Sequence, residues 1–180
     1  MIRLTYTVTP LELQIPFRNL LAMLLLFLNV NVYGQETISE ILKQYNDQSV
    51  PYISTEELSK LDSEVILLDA REFKEFNVSH LKNAIHVGYD DFNLDKTTAQ
   101  LAKKTSQIVV YCSVGVRSED IAEKLKNAGF NNVYNLYGGI FEWKNNGLPV
   151  YNSKNYETDR VHAYSKKWGK WLLKGTKVYE

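Results

Sequence analysis

Apolar residues in this chain gather in short runs separated by stretches of helical polar spacing, and that alternation predicts a layered α/β fold. Val65 to Asp69 and Ile108 to Tyr111 are continuous apolar runs of the kind buried on both faces of a parallel sheet. Pro51 to Ile53, Ala84 to Val87 and Asn132 to Leu136 read as further short strands. Between them, Ser54 with Glu56 and Glu57 opens a helix with an N-cap and an acidic first turn. Arg71 to Phe76 predicts a helical turn and Thr97 to Lys103 another helix. Ser118 to Asn127 predicts a third, with Ile121, Ala122 and Leu125 on one face and Gly129 just past its end. Strands and helices in this order imply a parallel central sheet of about five strands with helices on both faces. A helical lead-in (35–49) precedes the domain (50–150).

Two segments fall outside that pattern. Leu20 to Leu28 is an apolar run behind Arg3 and Arg18, and Val32-Tyr33-Gly34 offers a cleavage point before Gln35. Residues 1–34 are therefore expected to be a secretory signal peptide, and the protein to be exported to a periplasmic or other extracytoplasmic space. Asn29 and Asn31 interrupt the run well short of the roughly 20 apolar residues of a membrane span. Residues 151–180 carry seven basic and three acidic side chains, whereas 35–150 carry 12 and 17, so an electrostatic clasp of tail on domain is expected. Val161, Tyr164, Trp168, Trp171 and Leu172 fall on one helical stripe. That spacing predicts a C-terminal helical tail packed on the domain, with docking to a partner or a membrane surface as the alternative. His162 beside the stripe reads as structural.

The chemistry centres on Cys112, the one cysteine among 180 residues, so no internal disulfide is available. Cys112 follows the strand Ile108 to Tyr111 and precedes a Gly-containing turn and a helix. If Ser113, Val114, Gly115, Val116, Arg117 and Ser118 curl around the sulfur, their amide groups and the helix's positive end converge on it, and Arg117 adds charge. All of these favour thiolate over thiol. Gly115 supplies the backbone freedom such a cradle needs. A lone strand cysteine can also be an inert core residue, but the carboxyl end of a parallel strand is where such sheets place their ligands. The whole chain balances 21 basic against 21 acidic side chains, which points away from a nucleic-acid partner.

The strand, the run Cys112-Ser113-Val114-Gly115-Val116-Arg117-Ser118 and the helix after it resemble the active-site segment of rhodanese-like domains. Leu67-Leu68-Asp69-Ala70-Arg71 resembles the family's strand-end Asp-x-Arg. Glu75-Phe76 with Ser79-His80-Leu81-Lys82-Asn83-Ala84-Ile85 resembles its next motif, with Ser79 and Asn83 where glycines are usual. Gly138-Gly139-Ile140-Phe141-Glu142-Trp143 resembles the segment near the domain's end.

The resemblance covers about residues 50 to 150. It implies a sulfurtransferase in which Cys112 takes a sulfane sulfur from thiosulfate or a persulfide and passes it to a thiol or cyanide, without a cofactor. A small sulfur donor, a thiol acceptor and a possible partner protein follow, with a monomer expected. Thiosulfate-specialised relatives carry basic residues directly after the cysteine, where this chain has Ser113 and Val114. Asp69 and Arg71 are expected to support the sheet end by ion pairing, Arg71 having substrate contact as its alternative. His80 is expected to stabilise the fold and Trp143 to fill core. His80 and His86 lack the clustered partners of a metal site, so no metal is expected. Two other readings stay open: a non-catalytic rhodanese-like sensor or binding module, and a cysteine phosphatase or arsenate reductase. Loops of the latter resemble Cys-x5-Arg, whereas four residues separate Cys112 from Arg117 here.

Overall fold

The computed structural model describes residues 36–61, 64–101 and 103–180; the apolar run at 20–28 and the expected cleavage before Gln35 lie outside them. Helix α1 (Ile38–Tyr45) begins at a capping box in which Thr37 Oγ1 accepts from the Glu40 N–H while the Glu40 carboxylate accepts from the Thr37 N–H. Strand β1 (Tyr52–Ile53) leads into α2 (Thr55–Ser59), where Ser54 and Glu57 form a second capping box. Then follow β2 (Ile66–Asp69), α3 (Phe73–Val78), β3 (Ile85–His86) and α4 (Leu94–Ala99). The domain continues through β4 (Ile108–Tyr111), α5 (Arg117–Asn127), β5 (Val133–Leu136) and α6 (Gly139–Asn145). Helix α4 starts three residues earlier than the apolar spacing suggests, because Asn93 Oδ1 accepts from the Lys96 N–H at 2.8 Å and caps it there.

The five strands form one parallel sheet in the order β1-β5-β4-β2-β3. Strand β4 lies at its centre with all four side chains buried, and its pleat divides them between two cores. Val109 and Tyr111 pack with Ile140 and Phe141 of α6 on one face. Ile108 and Val110 pack with Ile121, Ala122 and Leu125 of α5 on the other. Asp69 stands opposite Tyr111 in register, so the β2 carboxylate and the residue after β4, Cys112, emerge at the same sheet edge.

The C-terminal segment corrects the sequence reading. It holds no amphipathic helix; it forms β6 (Val150–Tyr151), β7 (Glu157–Thr158), β8 (Arg160–His162), a 3-10 turn (Trp168–Trp171) and β9 (Thr176–Val178). Val161, Thr176 and Val178 are β-branched and Gly169 and Gly175 interrupt the helical spacing, while β8 and β9 pair in parallel and satisfy each other's backbone. Val161, Trp171 and Leu172 are buried in the α6-side core, but Tyr164 is 48 % exposed. The expected charge clasp is found in one ion pair and reversed in another. Lys144 of α6 reaches out to Asp159 at 2.6 Å, so the cation there belongs to the domain, and Lys170 lies 3.6 Å from Glu36. Among the described residues no helix is long and apolar enough to cross a membrane.

Because Leu172 has no exposed surface, Leu172→Ala in the full chain should cost about 3 kcal/mol, whereas Tyr156→Ala, at a site 68 % exposed, should cost under about 0.5 kcal/mol. Denaturant unfolding checks both, and equal midpoints would remove the C-terminal segment from the core.

Candidate active site

Cys112 sits at the carboxyl end of β4 and is 1 % exposed. The chain turns around its sulfur: the Gly115 N–H donates to Sγ at 3.2 Å, and the Ser118 hydroxyl lies 3.5 Å away. Gly115 adopts φ +102°, and a Cβ there would stand 3.2 Å from the Leu136 carbonyl, so the tight curl needs glycine. Its own carbonyl accepts from Asn135 Nδ2 at 2.8 Å and Asn46 Nδ2 at 2.9 Å, two side-chain amides that pin the loop from β5 and from the residue after α1. Ser118 Oγ is also 2.7 Å from Asn135 Oδ1. A hydroxyl has one proton, so Ser118 can donate to only one of these two acceptors at a time, and the contact to Asn135 is the shorter.

The other side of the loop is held by α6. The Ile140 and Phe141 N–H groups donate to the carbonyls of Cys112 and Ser113 at 2.9 and 3.1 Å. Gly139, at φ +55°, makes this approach possible, because a Cβ there would lie 2.3 Å from the Cys112 carbonyl oxygen. This is the physical content of the Gly138-Gly139 pair.

Arg117 opens α5, but it is not a free cation beside the sulfur. Its guanidinium forms a fork on Glu75 of α3, Nη1 to Oε2 at 2.8 Å and Nη2 to Oε1 at 2.9 Å. Glu75 has no exposed surface and accepts further bonds from Ser113 Oγ at 3.1 Å and the Glu72 N–H at 3.0 Å. Burial by itself would raise the Glu75 carboxyl, yet the bonds and charge of Arg117, with the charge of Arg71, outweigh it and hold the group below its ordinary range. Arg117 is correspondingly held in its charged form, by Glu75 and then Cys112, against the opposing effect of burial. Glu75 was visible in the sequence only as part of a motif; its role shows in the geometry.

Asp69 and Arg71 form a second, fully buried pair below the loop, Nε to Oδ1 at 2.9 Å and Nη2 to Oδ2 at 2.6 Å, and Arg71 also bonds the Ser79 carbonyl. Both are 0 % exposed and tie β2 to the end of α3. His80 stacks on Phe76 with ring centroids 4.1 Å apart, and a ring nitrogen of His86 meets the Arg71 carbonyl. Trp143 donates from Nε1 to the Pro149 carbonyl while packing against the core. His162 is buried, and its Nδ1 accepts from the Tyr164 N–H at 3.1 Å; burial lowers its affinity for a proton. Among the described residues no group of three or more His, Cys, Asp or Glu is placed to hold a metal.

A pocket of about 110 Å³ opens above the sulfur, lined by Cys112, Ser113, Val114, Val116, Arg117, Tyr164 and Trp168. The last two come from the C-terminal segment, where the sequence placed them on a packing stripe. Arg117 lies 5.0 Å from the Tyr164 ring centroid.

Glu75→Gln should cost about 3 kcal/mol at neutral pH, since it leaves the Arg117 charge without its carboxylate in a largely buried site. The folded carboxyl titrates below the ordinary 4.5, so its contribution is complete above that value and fades as pH falls through the lower folded value. Unfolding measured from pH 7 to pH 3 should therefore show the gap between wild type and Glu75→Gln narrowing on the acid side; a gap independent of pH would contradict the assignment.

Residues 54–146 match the rhodanese-like domain family. A tRNA uridine(34) hydroxylase of Escherichia coli K12 is 33 % identical over 118 residues, and one from Enterobacter sp. is 31 % identical over 118; each match spans 60 % of this chain and 34 % of the relative. The chain thus spans about a third of the length of these curated relatives. Among solved structures, a thiosulfate sulfurtransferase from Pseudomonas aeruginosa is 27 % identical with a TM-score of 0.53, over 68 % of this chain and 23 % of that one. A rhodanese-like domain from Anabaena sp. is 25 % identical with a TM-score of 0.52, over 57 % of this chain and 79 % of that one. The matched family segment contains the whole Cys112 loop, its Glu75 and Asp69–Arg71 supports and the glycines of α6, and on that footing the chain belongs to the rhodanese-like domain family.

Proposed function

We propose that the protein is a sulfurtransferase that carries a sulfane sulfur on Cys112. The observation that supports this most directly is the loop: one cysteine at the end of the central strand, with the Gly115 N–H on its sulfur and the Ser118 hydroxyl in reach. In this reading the Cys112 thiolate attacks the outer sulfur of the donor, the donor's S–S bond breaks, and its electron pair leaves with the rest of the donor. From thiosulfate this releases sulfite and leaves a persulfide on Cys112, whose terminal charge is stabilised by the same donors. Cyanide or a thiol then takes the outer sulfur; with cyanide the products are thiocyanate and the free thiolate. The two half-reactions imply ping-pong kinetics.

Charge supports an organic persulfide donor over thiosulfate. Among the residues that line the pocket the one formal cation, Arg117, is paired with Glu75, so the lining offers a dianion little net positive charge. The four-residue spacer between Cys112 and Arg117 favours a loop closed on sulfur over one shaped for phosphate. The match to the relatives named for tRNA spans 34 % of their length, and a chain with 21 basic and 21 acidic side chains has no net surplus charge for that substrate. With residues 1–34 as a signal peptide, the reaction would take place outside the cytoplasm.

Intact mass of the full chain should rise by one sulfur atom on exposure to a sulfane donor and return on addition of cyanide. Cys112→Ala should gain nothing while keeping its circular dichroism spectrum. Sulfur loading in that variant, or none in wild type with any donor, would overturn the proposal.

A further inference from the structure

Tyr164 and Trp168 lie beyond the residues that match the family, yet they form the outer wall of the Cys112 pocket. We infer that these two aromatic side chains make a subsite for an aromatic or bulky apolar leaving group on the sulfur donor. The inference rests on the sulfurtransferase reading and adds to it the class of donor.

The backbone carries the first part of the case. Tyr164 sits at φ +61°, a conformation that an aromatic residue rarely adopts. It is the centre of a three-residue γ-turn closed by the Ser165 N–H on the Ala163 carbonyl at 2.7 Å, and its own N–H donates to the buried His162. Packing does not explain this conformation, for the side chain is 48 % exposed. The turn instead sets the ring over Arg117 at the mouth of the pocket.

The second part is the rigidity and neutrality of the wall. The Trp168 ring packs against two others, Tyr45 of α1 at 5.9 Å and Trp171 of the same 3-10 turn at 5.3 Å between centroids, and these contacts restrain it. Gly169 lets this turn press against the core, since a Cβ there would lie 3.2 Å from the Ala163 Cβ. Val114 and Val116 complete an apolar lining, and the Arg117 charge is matched by Glu75. Such a pocket gains little from a small, heavily hydrated dianion and much from a ring that can stack on Tyr164 and Trp168.

Two thiosulfonate anions of equal charge separate ring from charge: benzenethiosulfonate and methanethiosulfonate. With either, Cys112 Sγ forms a bond to the donor's terminal sulfur, the donor's S–S bond breaks, and the electron pair departs with the sulfinate; no proton moves and charge is conserved. With cyanide as acceptor, kcat/KM of the full chain should favour the benzene donor by about tenfold. Tyr164→Gly, which keeps the backbone N–H and suits the positive φ, should lower that ratio, and Tyr164→Gly with Trp168→Ala should bring it to about one. A ratio near one in wild type, or one unchanged in the double variant, would overturn the subsite. If neither donor loads Cys112, binding to Cys112→Ala judges the subsite alone, and the sulfurtransferase reading fails only if every other sulfane donor fails as well. Calorimetry should show benzenesulfinate binding that variant about tenfold more tightly than methanesulfinate, and equal affinity would overturn it.

Discussion

A carboxylate with no access to water, Glu75, is the constraint on which the Cys112 loop depends. Burying a charge is costly, and the site meets that cost with four donated hydrogen bonds: two from the Arg117 fork, one from Ser113 and one from the Glu72 backbone. Those donors come from the N-cap of α3, the loop and the first turn of α5, so satisfying the one carboxylate locks three elements together. The Asp69–Arg71 pair below repeats the device between β2 and the end of α3. The sulfur is thus placed by polar contacts that are costly to break singly, on a sheet whose central strand is wholly buried.

This arrangement changes what Arg117 does. A guanidinium near a thiolate suggests direct charge stabilisation, but here it first cancels a carboxylate. The sulfur meets a nearly neutral surround, with the Gly115 amide and the Ser118 hydroxyl as its local donors. A neutral, aromatic-walled pocket then follows from the same pairing, and with it a preference in donor chemistry.

Most of the frame was legible in the sequence. The runs at 66–69 and 108–111 are apolar at every position of a doubly covered strand, apart from the terminal Asp69 and Tyr111, and Ser54 with Glu57 makes the capping box that its residue types announce. Cys112 and Gly115 were legible because chemistry and backbone freedom restrict what can stand there. Glu75's partners were not, because they lie 38 and 42 residues away and only the folded register brings them together. Helix α6 was missed because its defining need, Gly139 against the Cys112 carbonyl, is a tertiary contact. The C-terminal segment misled for the opposite reason. Its apolar spacing suits one helical face, yet Gly169, Gly175 and the β-branched residues favour a strand pair, and the same aromatics reach the core and the pocket by a different route.

The central claim is that Arg117 acts on Cys112 by neutralising Glu75. The rate of Cys112 alkylation by iodoacetamide, followed against pH, tests it. Arg117→Met should slow alkylation at pH 7 by about tenfold, because it leaves a buried negative charge beside the loop, and the double variant Glu75→Gln with Arg117→Met should recover most of the wild-type rate. A double variant as slow as Arg117→Met, or a single variant as fast as wild type, would contradict the account.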